Sequence, residues 1–334
     1  MPKAANTAGL TGLKVGHRTI PVPASISPEA QRRLHAAVGP DGIPLNARYA
    51  MPGADDPEAW RRMKHAADMH YAAAMKDRGQ SGSARLETTR IGSATVHIAT
   101  PSELVFQDCV YLDLHGGAFV FGSGEACREG ARSQAAALQM CCYGIDYRTP
   151  PDHPFPAALD DCLAVYQHAI ARYGAGRVVM GGRSAGGNLA LATVLRAHDE
   201  GLAMPAALVL LSPEADLTES GDSFNVNAMV DVVLPGSVMS ANLLYANGAD
   251  LTHPYLSPLF GEFFDGFPAT LIQSGTRDLF LSNAVRLHRS LRRAGIAADL
   301  HVFEAMPHGG FGGTPEDAEL LDDVVRFVRQ SLRR

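Results

Sequence analysis

No stretch of this sequence stays apolar long enough to cross a bilayer. Its first residues, Met1-Pro2-Lys3-Ala4-Ala5-Asn6-Thr7-Ala8-Gly9, lack the continuous apolar core of a secretory signal. The expectation is a soluble cytoplasmic protein without a membrane partner. Basic runs are missing too: 29 Lys and Arg are scattered among 35 Asp and Glu, for a formal net charge of -6, so the electrostatic footprint of nucleic-acid binding is absent. The cysteines (Cys109, Cys127, Cys141, Cys142 and Cys162) are odd in number and never spaced as Cys-x-x-Cys, which argues against the common zinc and redox signatures. All five read as reduced thiols of the core or surface. No internal repeat, low-complexity tract, Walker lysine pattern or complete dinucleotide fingerprint is visible.

What is present is apolar material in short pieces. The 334 residues, 46% of them hydrophobic and 19% charged, suffice for a large buried core within one α/β unit. Residues 1–84 form a distinct polar, helical prefix. One helix opens at Ser27-Pro28-Glu29, with Ser27 as N-cap and Pro28 at the first helical position. A second runs from Pro57 to Arg78 and sets Trp60, Met63, Ala67, Tyr71 and Met75 on one face, until Gly79, Gly82 and the serines between break it. From Arg85 the pattern becomes strand–helix–strand, which implies a mostly parallel sheet flanked by helices. The expected strands are Ala94–Ala99, Cys109–Leu114, Met140–Asp146, Arg177–Gly181, Ala207–Leu211, Ala269–Gln273 and Asp299–Phe303. Helices are expected near 126–138, 157–173, 185–198, 283–294 and 316–332. Residues 214–265 interrupt the alternation and read as an insertion, holding a helix and irregular loops, that contributes to a lid.

The strongest local signal is Gly182-Arg183-Ser184-Ala185-Gly186, a Gly-x-Ser-x-Gly turn between the apolar strand Val178-Val179-Met180 and the helix-forming run from Asn188. Such a turn needs small neighbours and lifts the serine hydroxyl above the sheet, beside a helix N-terminus. A serine hydroxyl at neutral pH needs a base, and the base needs an orienting carboxylate. Asp278 follows the strand Ala269–Gln273, and His308 follows the strand ending at Phe303; both therefore lie past carboxyl ends of strands, where open parallel sheets place their sites. Glu262 and Asp265 precede their strand, His288 falls on a helix face, and His301 sits inside a strand, so these read as structural or solvated. His115-Gly116-Gly117-Ala118-Phe119, after the strand Cys109–Leu114, supplies a backbone that turns tightly. The N–H groups of Gly117, Ala118 and Ala185 are the expected donors to an oxyanion, with His115 holding the loop in shape.

Together these segments resemble the bacterial hormone-sensitive-lipase-like esterases, a family of α/β hydrolases. His115–Phe119 resembles that family's oxyanion loop, Asp146–Ala158 its Tyr-Arg-Leu-Ala-Pro-Glu-His-Pro-Phe-Pro-Ala-Ala segment, and Gly181–Gly187 its nucleophile turn, while Asp278 and His308 stand where the family places its acid and base. Ser212–Thr218, Tyr255–Leu259 and Gly275–Leu279 further resemble members described as lactone or small-ester hydrolases. The resemblance covers residues 85–334 and makes the prefix a cap. It implies an α/β-hydrolase fold, hydrolysis of short to medium esters or lactones through Ser184, Asp278 and His308, no cofactor, no metal, a cytoplasmic location and frequent homodimers.

The sequence departs from the family where Arg183 replaces an acidic residue before the serine and Glu214 replaces an aromatic after Ser-Pro. Phe119, Arg183 and Glu214 are the residues expected to shape the substrate pocket. For Arg183 three roles stand: a surface cation, an ion-pair partner of Glu214 or Asp113, or a binder of a substrate carboxylate or carbonyl. An amidase or acyltransferase on the same three residues, and a non-catalytic ligand-binding protein on the same fold, are the rival functions.

Overall fold

A computed structural model describes residues 19–48, 50–77, 84–234 and 236–333. Arg78, Gly79 and Gly82, expected to end the second helix, lie outside the described residues. Helices α1 (Pro28–Ala36) and α2 (Pro57–Asp77) precede strands β1 (Ala84–Ile91), β2 (Ala94–Pro101) and β3 (Phe106–Leu114). Then follow α3 (Glu125–Leu138), β4 (Met140–Asp146), α4 (Ala157–Tyr173), β5 (Val178–Arg183), α5 (Ala185–Asp199) and β6 (Ala207–Leu211). The short helices α6 (Ser223–Val226) and α7 (Met239–Ala246) lead to β7 (Ala269–Gly275), α8 (Leu281–Arg293), β8 (Ala298–Phe303) and α9 (Pro315–Ser331). No helix among the described residues is long and apolar enough to cross a membrane.

The strands form one sheet in the order β1-β2-β4-β3-β5-β6-β7-β8. β1 and β2 pair antiparallel, as do β2 and β4; every later pairing is parallel. Helices cover both faces, so the central strands are continuous apolar runs rather than alternating ones; β6 is buried at all five positions. On one face α4, α5 and α8 bury Leu159, Val165, Leu189, Leu191, Leu287 and Leu291. On the other, α3 and α9 bury Ala131, Ala135, Leu138, Leu320, Val324 and Val328.

The element boundaries match the sequence pattern closely where burial is two-sided: β4, α4 and β6 span the expected residues. β1 was not expected. It is an edge strand with only three half-buried positions, so it carries no apolar run to read. The insertion resolves into α6, α7 and a 3-10 turn at Pro258–Phe260 rather than one helix.

The prefix lies against the loops beyond the sheet. Ser27 caps α1 as expected, its Oγ accepting from Ala30 N at 3.1 Å, and Ser27 also donates to Glu316 of α9. Ile26, Ala30 and Leu34 pack on Ala305, Met306 and Phe311, around the segment that carries His308. Trp60 of α2 packs on Val120, Phe121 and Ala241. Tyr71, expected on the same face, is 41% exposed.

Candidate active site

Ser184 is the single residue between β5 and α5. Its backbone has φ 57° and ψ -121°, a conformation that costs an L-residue energy and is held by its surroundings. Its N–H donates to Leu211 O at 2.9 Å, and its carbonyl accepts from Asn188 N at 3.1 Å and Glu214 N at 3.2 Å. Gly186 is required here for close approach, since a Cβ would collide with the Leu114 carbonyl. Ala185 opens α5, so its N–H belongs to the first turn, whose donors no helical carbonyl uses.

Beside this turn runs the loop after β3. Gly117 has φ 119°, and a Cβ there would collide with Phe121 O. Ala118 and Phe119 also have positive φ, so three successive residues hold the left-handed side of backbone space. A Cβ on Gly116 would stand 3.4 Å from Ser184 Cβ, which measures how closely this loop lies against the serine. The Asp146–Ala158 segment buttresses it: the Tyr147 hydroxyl donates to His115 O at 2.8 Å, and the two rings stack at 4.1 Å. From the prefix, Lys64 donates to Val120 O and Ser123 Oγ, both at 2.9 Å, while Asp68 accepts from Gly122 N at 2.6 Å.

Asp278 and His308 meet in the loops after β7 and β8. His308 Nδ1 lies 3.0 Å from Asp278 Oδ1. Because an ionised carboxylate only accepts, Nδ1 carries the proton and Nε2 keeps its lone pair. Asp278 is fully buried, and burial opposes its charge. The charge and hydrogen bond of His308, the Phe280 N–H and the Ser274 O–H together outweigh burial and hold its carboxyl below the usual range. The Phe280 ring meets the imidazole edge-on at 4.8 Å. His301 instead bonds Asp323 at 2.7 Å, the structural role expected of it.

The two halves are linked by Arg183. Its Nη1 donates to Gly309 O at 2.6 Å, joining the residue before the serine to the residue after the histidine. The expected ion pair with Glu214 does not form. Glu214 is fully buried, neither of its oxygens reaches a hydrogen-bond partner, and Arg183 is not among the groups that act on it. Burial first, and then the charges of Glu219 and Asp216, push its pKa to about 8 against the pull of Asn242, which acts on it without hydrogen-bond geometry. The charge of Arg183 falls instead on half-buried Asp113, whose pKa desolvation lifts to about 6 while Gln134 and Arg183 pull it down. Phe119 is fully buried against Tyr245, ring on ring at 4.1 Å. Phe119, Arg183 and Glu214 therefore do not share one open surface: two are inaccessible to solvent and the third is turned to Gly309.

The sequence pattern did not single out Asp231 and Asn227, which hold the segment that carries Asp278. Asn227 Nδ2 donates to the carbonyls of Asp278 at 2.8 Å and Thr276 at 3.2 Å. Asp231, fully buried, accepts from Leu279 N at 2.8 Å and Val233 N at 2.9 Å. Burial raises its pKa to about 6; the charge of His308 lowers it and that of Asp278 raises it, so it stands in the electrostatic field of both. The signal that could have found it is a lone carboxylate inside the apolar run Met229–Leu234.

The family model described as the α/β hydrolase fold matches residues 111–311. An esterase of Acinetobacter venetianus is 31% identical over 236 residues, 69% of this chain and 76% of that protein. An acetyl-hydrolase of Streptomyces hygroscopicus is 30% identical over 240 residues, 71% of this chain and 79% of its own. Among solved structures, that of one esterase superposes with a TM-score of 0.86 at 33% identity, over 97% of this chain and 99% of the other. A crystallised esterase of the bacterial hormone-sensitive lipase family superposes with a TM-score of 0.79 at 30% identity, over 92% and 99% of the two chains.

Proposed function

This chain belongs to the α/β-hydrolase-fold family, among its hormone-sensitive-lipase-like carboxylic ester hydrolases, and on that premise we propose that Ser184, His308 and Asp278 perform the hydrolysis as nucleophile, base and acid. The observation that supports the reading is a serine held at positive φ between β5 and α5, whose neighbour Arg183 bonds Gly309, the residue after a buried imidazole whose Nδ1 is tied to Asp278. Ser184 Oγ attacks the ester carbonyl as His308 Nε2 takes its proton; the carbonyl oxygen becomes an anion that accepts from the N–H groups of Gly117, Ala118 and Ala185. As the C–O bond breaks, His308 returns the proton to the departing alcohol. Water, deprotonated by the same nitrogen, then releases the acid and restores Ser184. Asp278 keeps the imidazole in the productive tautomer and stabilises its cation.

The substrate proposed is a small carboxylic ester or a lactone; a lactone would give one hydroxy acid. The prefix is proposed as a cap and 85–334 as the catalytic unit, since α1 and α2 pack on the loops bearing His308 and Gly117. The β8 edge, where Val302 is 41% exposed, is the proposed pairing edge for a second copy. A panel of p-nitrophenyl acyl esters, lactones and amides, run on wild type and Ser184→Ala with a competing amine, tests the function. Hydrolysis of esters and lactones that vanishes in the variant supports it. Turnover that survives the variant, or product carried mainly on the amine, overturns it.

A further inference from the structure

Under the oxyanion loop the sheet assembles a second cluster that hydrolysis does not use. It draws on four elements: His97 on β2, His115 directly after β3, Cys127 in the first turn of α3, and Asp146 at the end of β4. The pairing of β2 with β4 sets His97 opposite Gly144 and Thr95 opposite Asp146. One ring nitrogen of His115, the Cys127 sulfur and one Asp146 oxygen all lie within 4.8 Å of one another. His97 Nε2 stands 3.5 Å from Asp146 Oδ2. A Cβ at Gly144 would come within 3.4 Å of Cys127 Sγ, so the bare glycine leaves the sulfur its place.

The rings are set up as ligands are. His115 Nδ1 is 2.9 Å from the Gly116 carbonyl, which can only accept; Nδ1 therefore carries the proton and Nε2 keeps its lone pair. His97 is likewise turned by its other nitrogen, 3.0 Å from Thr88 Oγ1. Metal-binding histidines characteristically have the non-ligating nitrogen engaged in this way. His115 Nε2 is buried and reaches no hydrogen-bond partner; His97 Nε2 is buried too and faces Asp146 Oδ2 at 3.5 Å, with His97 as a whole 6% exposed. Asp146 is itself fixed by Gly124 N at 3.1 Å. Two imidazoles, a thiol and a carboxylate form the N, S and O donor set that suits zinc-type cations. We propose that His97, His115, Cys127 and Asp146 form a binding site for one thiophilic divalent cation.

On binding, the Cys127 thiol releases its proton to solvent and the sulfur pair bonds the metal; nothing is oxidised or reduced. Bonds of about 2.0–2.3 Å bring ligand atoms closer than they stand in the free cluster, so the site contracts as it closes. His115 and Asp146 are only half-buried and give the ion its access route. A bound cation fixes His115 at the root of the oxyanion loop and stabilises the fold by mass action. The site does not depend on the reading of Ser184.

The test is a titration of the full chain, stripped with chelator, with cadmium ion alone. The expected result is a cadmium–thiolate charge-transfer band that saturates at one equivalent, together with a rise in Tm. Ser184→Ala and Cys141→Ser keep the band and Cys127→Ser removes it, while His97→Ala and Asp146→Asn weaken binding by about tenfold or more. A wild type without a thiolate band at one equivalent overturns the site, as does a band that survives Cys127→Ser. Should Cys127→Ser fail to fold, unchanged cadmium affinity in His97→Ala and Asp146→Asn overturns it as well.

Discussion

Ser184 is positioned by its immediate neighbours in sequence, whereas His308 is positioned from four distant places. The turn at Ser184 follows from small residues on either side and from the helix that begins at Ala185. His308 depends on Asp278 thirty residues before it, and Asp278 in turn depends on Asn227 and Asp231. The same loop leans on α1 through Ala305, Met306 and Phe311. Asp317 of α9 adds three backbone bonds, accepting from Phe311, Gly313 and Thr314. Local sterics define a position that a single substitution either breaks or leaves intact; a shared network yields gradually. The serine side should therefore fail all at once and the histidine side by degrees.

The sharpest break of that contrast lies in the three proposed reacting residues. Ser184→Ala and His308→Ala should each remove nearly all ester turnover with an unchanged circular-dichroism spectrum. Asp278→Asn should lower kcat by about 10⁴, because an uncharged amide favours the wrong imidazole tautomer. Either alanine variant retaining near wild-type kcat refutes the assignment.

Next in size is Asp231. Asp231→Asn keeps the shape and removes a negative charge that acts on His308. We expect kcat/KM to fall by about tenfold, the cost of about 1.4 kcal/mol in the transition state. A purely structural Asp231 would lower Tm and leave kcat/KM in place.

The same contrast explains what was legible in the sequence. The turn at Ser184, the loop at Gly117 and the strands Met140–Asp146 and Ala207–Leu211 could be read because small residues at a strand–helix turn and two-sided burial leave local patterns. Asp278 and His308 could be placed because each follows a strand end. Asp231 could not, because its partner Leu279 is 48 residues away and nothing local marks the pairing. β1 could not because exposure erases its pattern, and the sheet order could not because periodicity carries no information about neighbours. Arg183 and Glu214 invited pairing by their opposite charges, yet burial of Glu214 without Arg183 shows that charge alone does not set geometry.

A smaller effect, on stability alone, should come from Glu214. Its pKa of about 8 stands above the ordinary 4.5, so its contribution is full at low pH and drains as pH rises through about 8. Glu214→Gln has no proton to lose. Relative to wild type, the variant should gain a few degrees in Tm between pH 5 and pH 9, as measured by calorimetry at a series of pH values. A constant difference across that range would mean that Glu214 stays charged and paired in solution.

The finest distinction concerns Arg183, which joins the locally fixed side to the network side through Gly309. Removing it deletes one charge-assisted bond to a carbonyl and the positive potential felt by Asp113, but no partner of Glu214. The stability losses of Arg183→Ala and Glu214→Ala should therefore add, with a coupling no larger than about 0.5 kcal/mol. Arg183→Ala and Asp113→Asn should couple by more than that, since deleting the cation leaves the desolvated carboxylate of half-buried Asp113 without its counter-charge, while the amide needs none. Urea denaturation of the single and double variants measures both cycles. A large coupling with Glu214 and none with Asp113 would restore the swapped ion pair. A large coupling with Asp113 alone would make Arg183 the point at which the charge of Asp113 on β3 is offset by the same side chain that bonds Gly309 in the histidine loop.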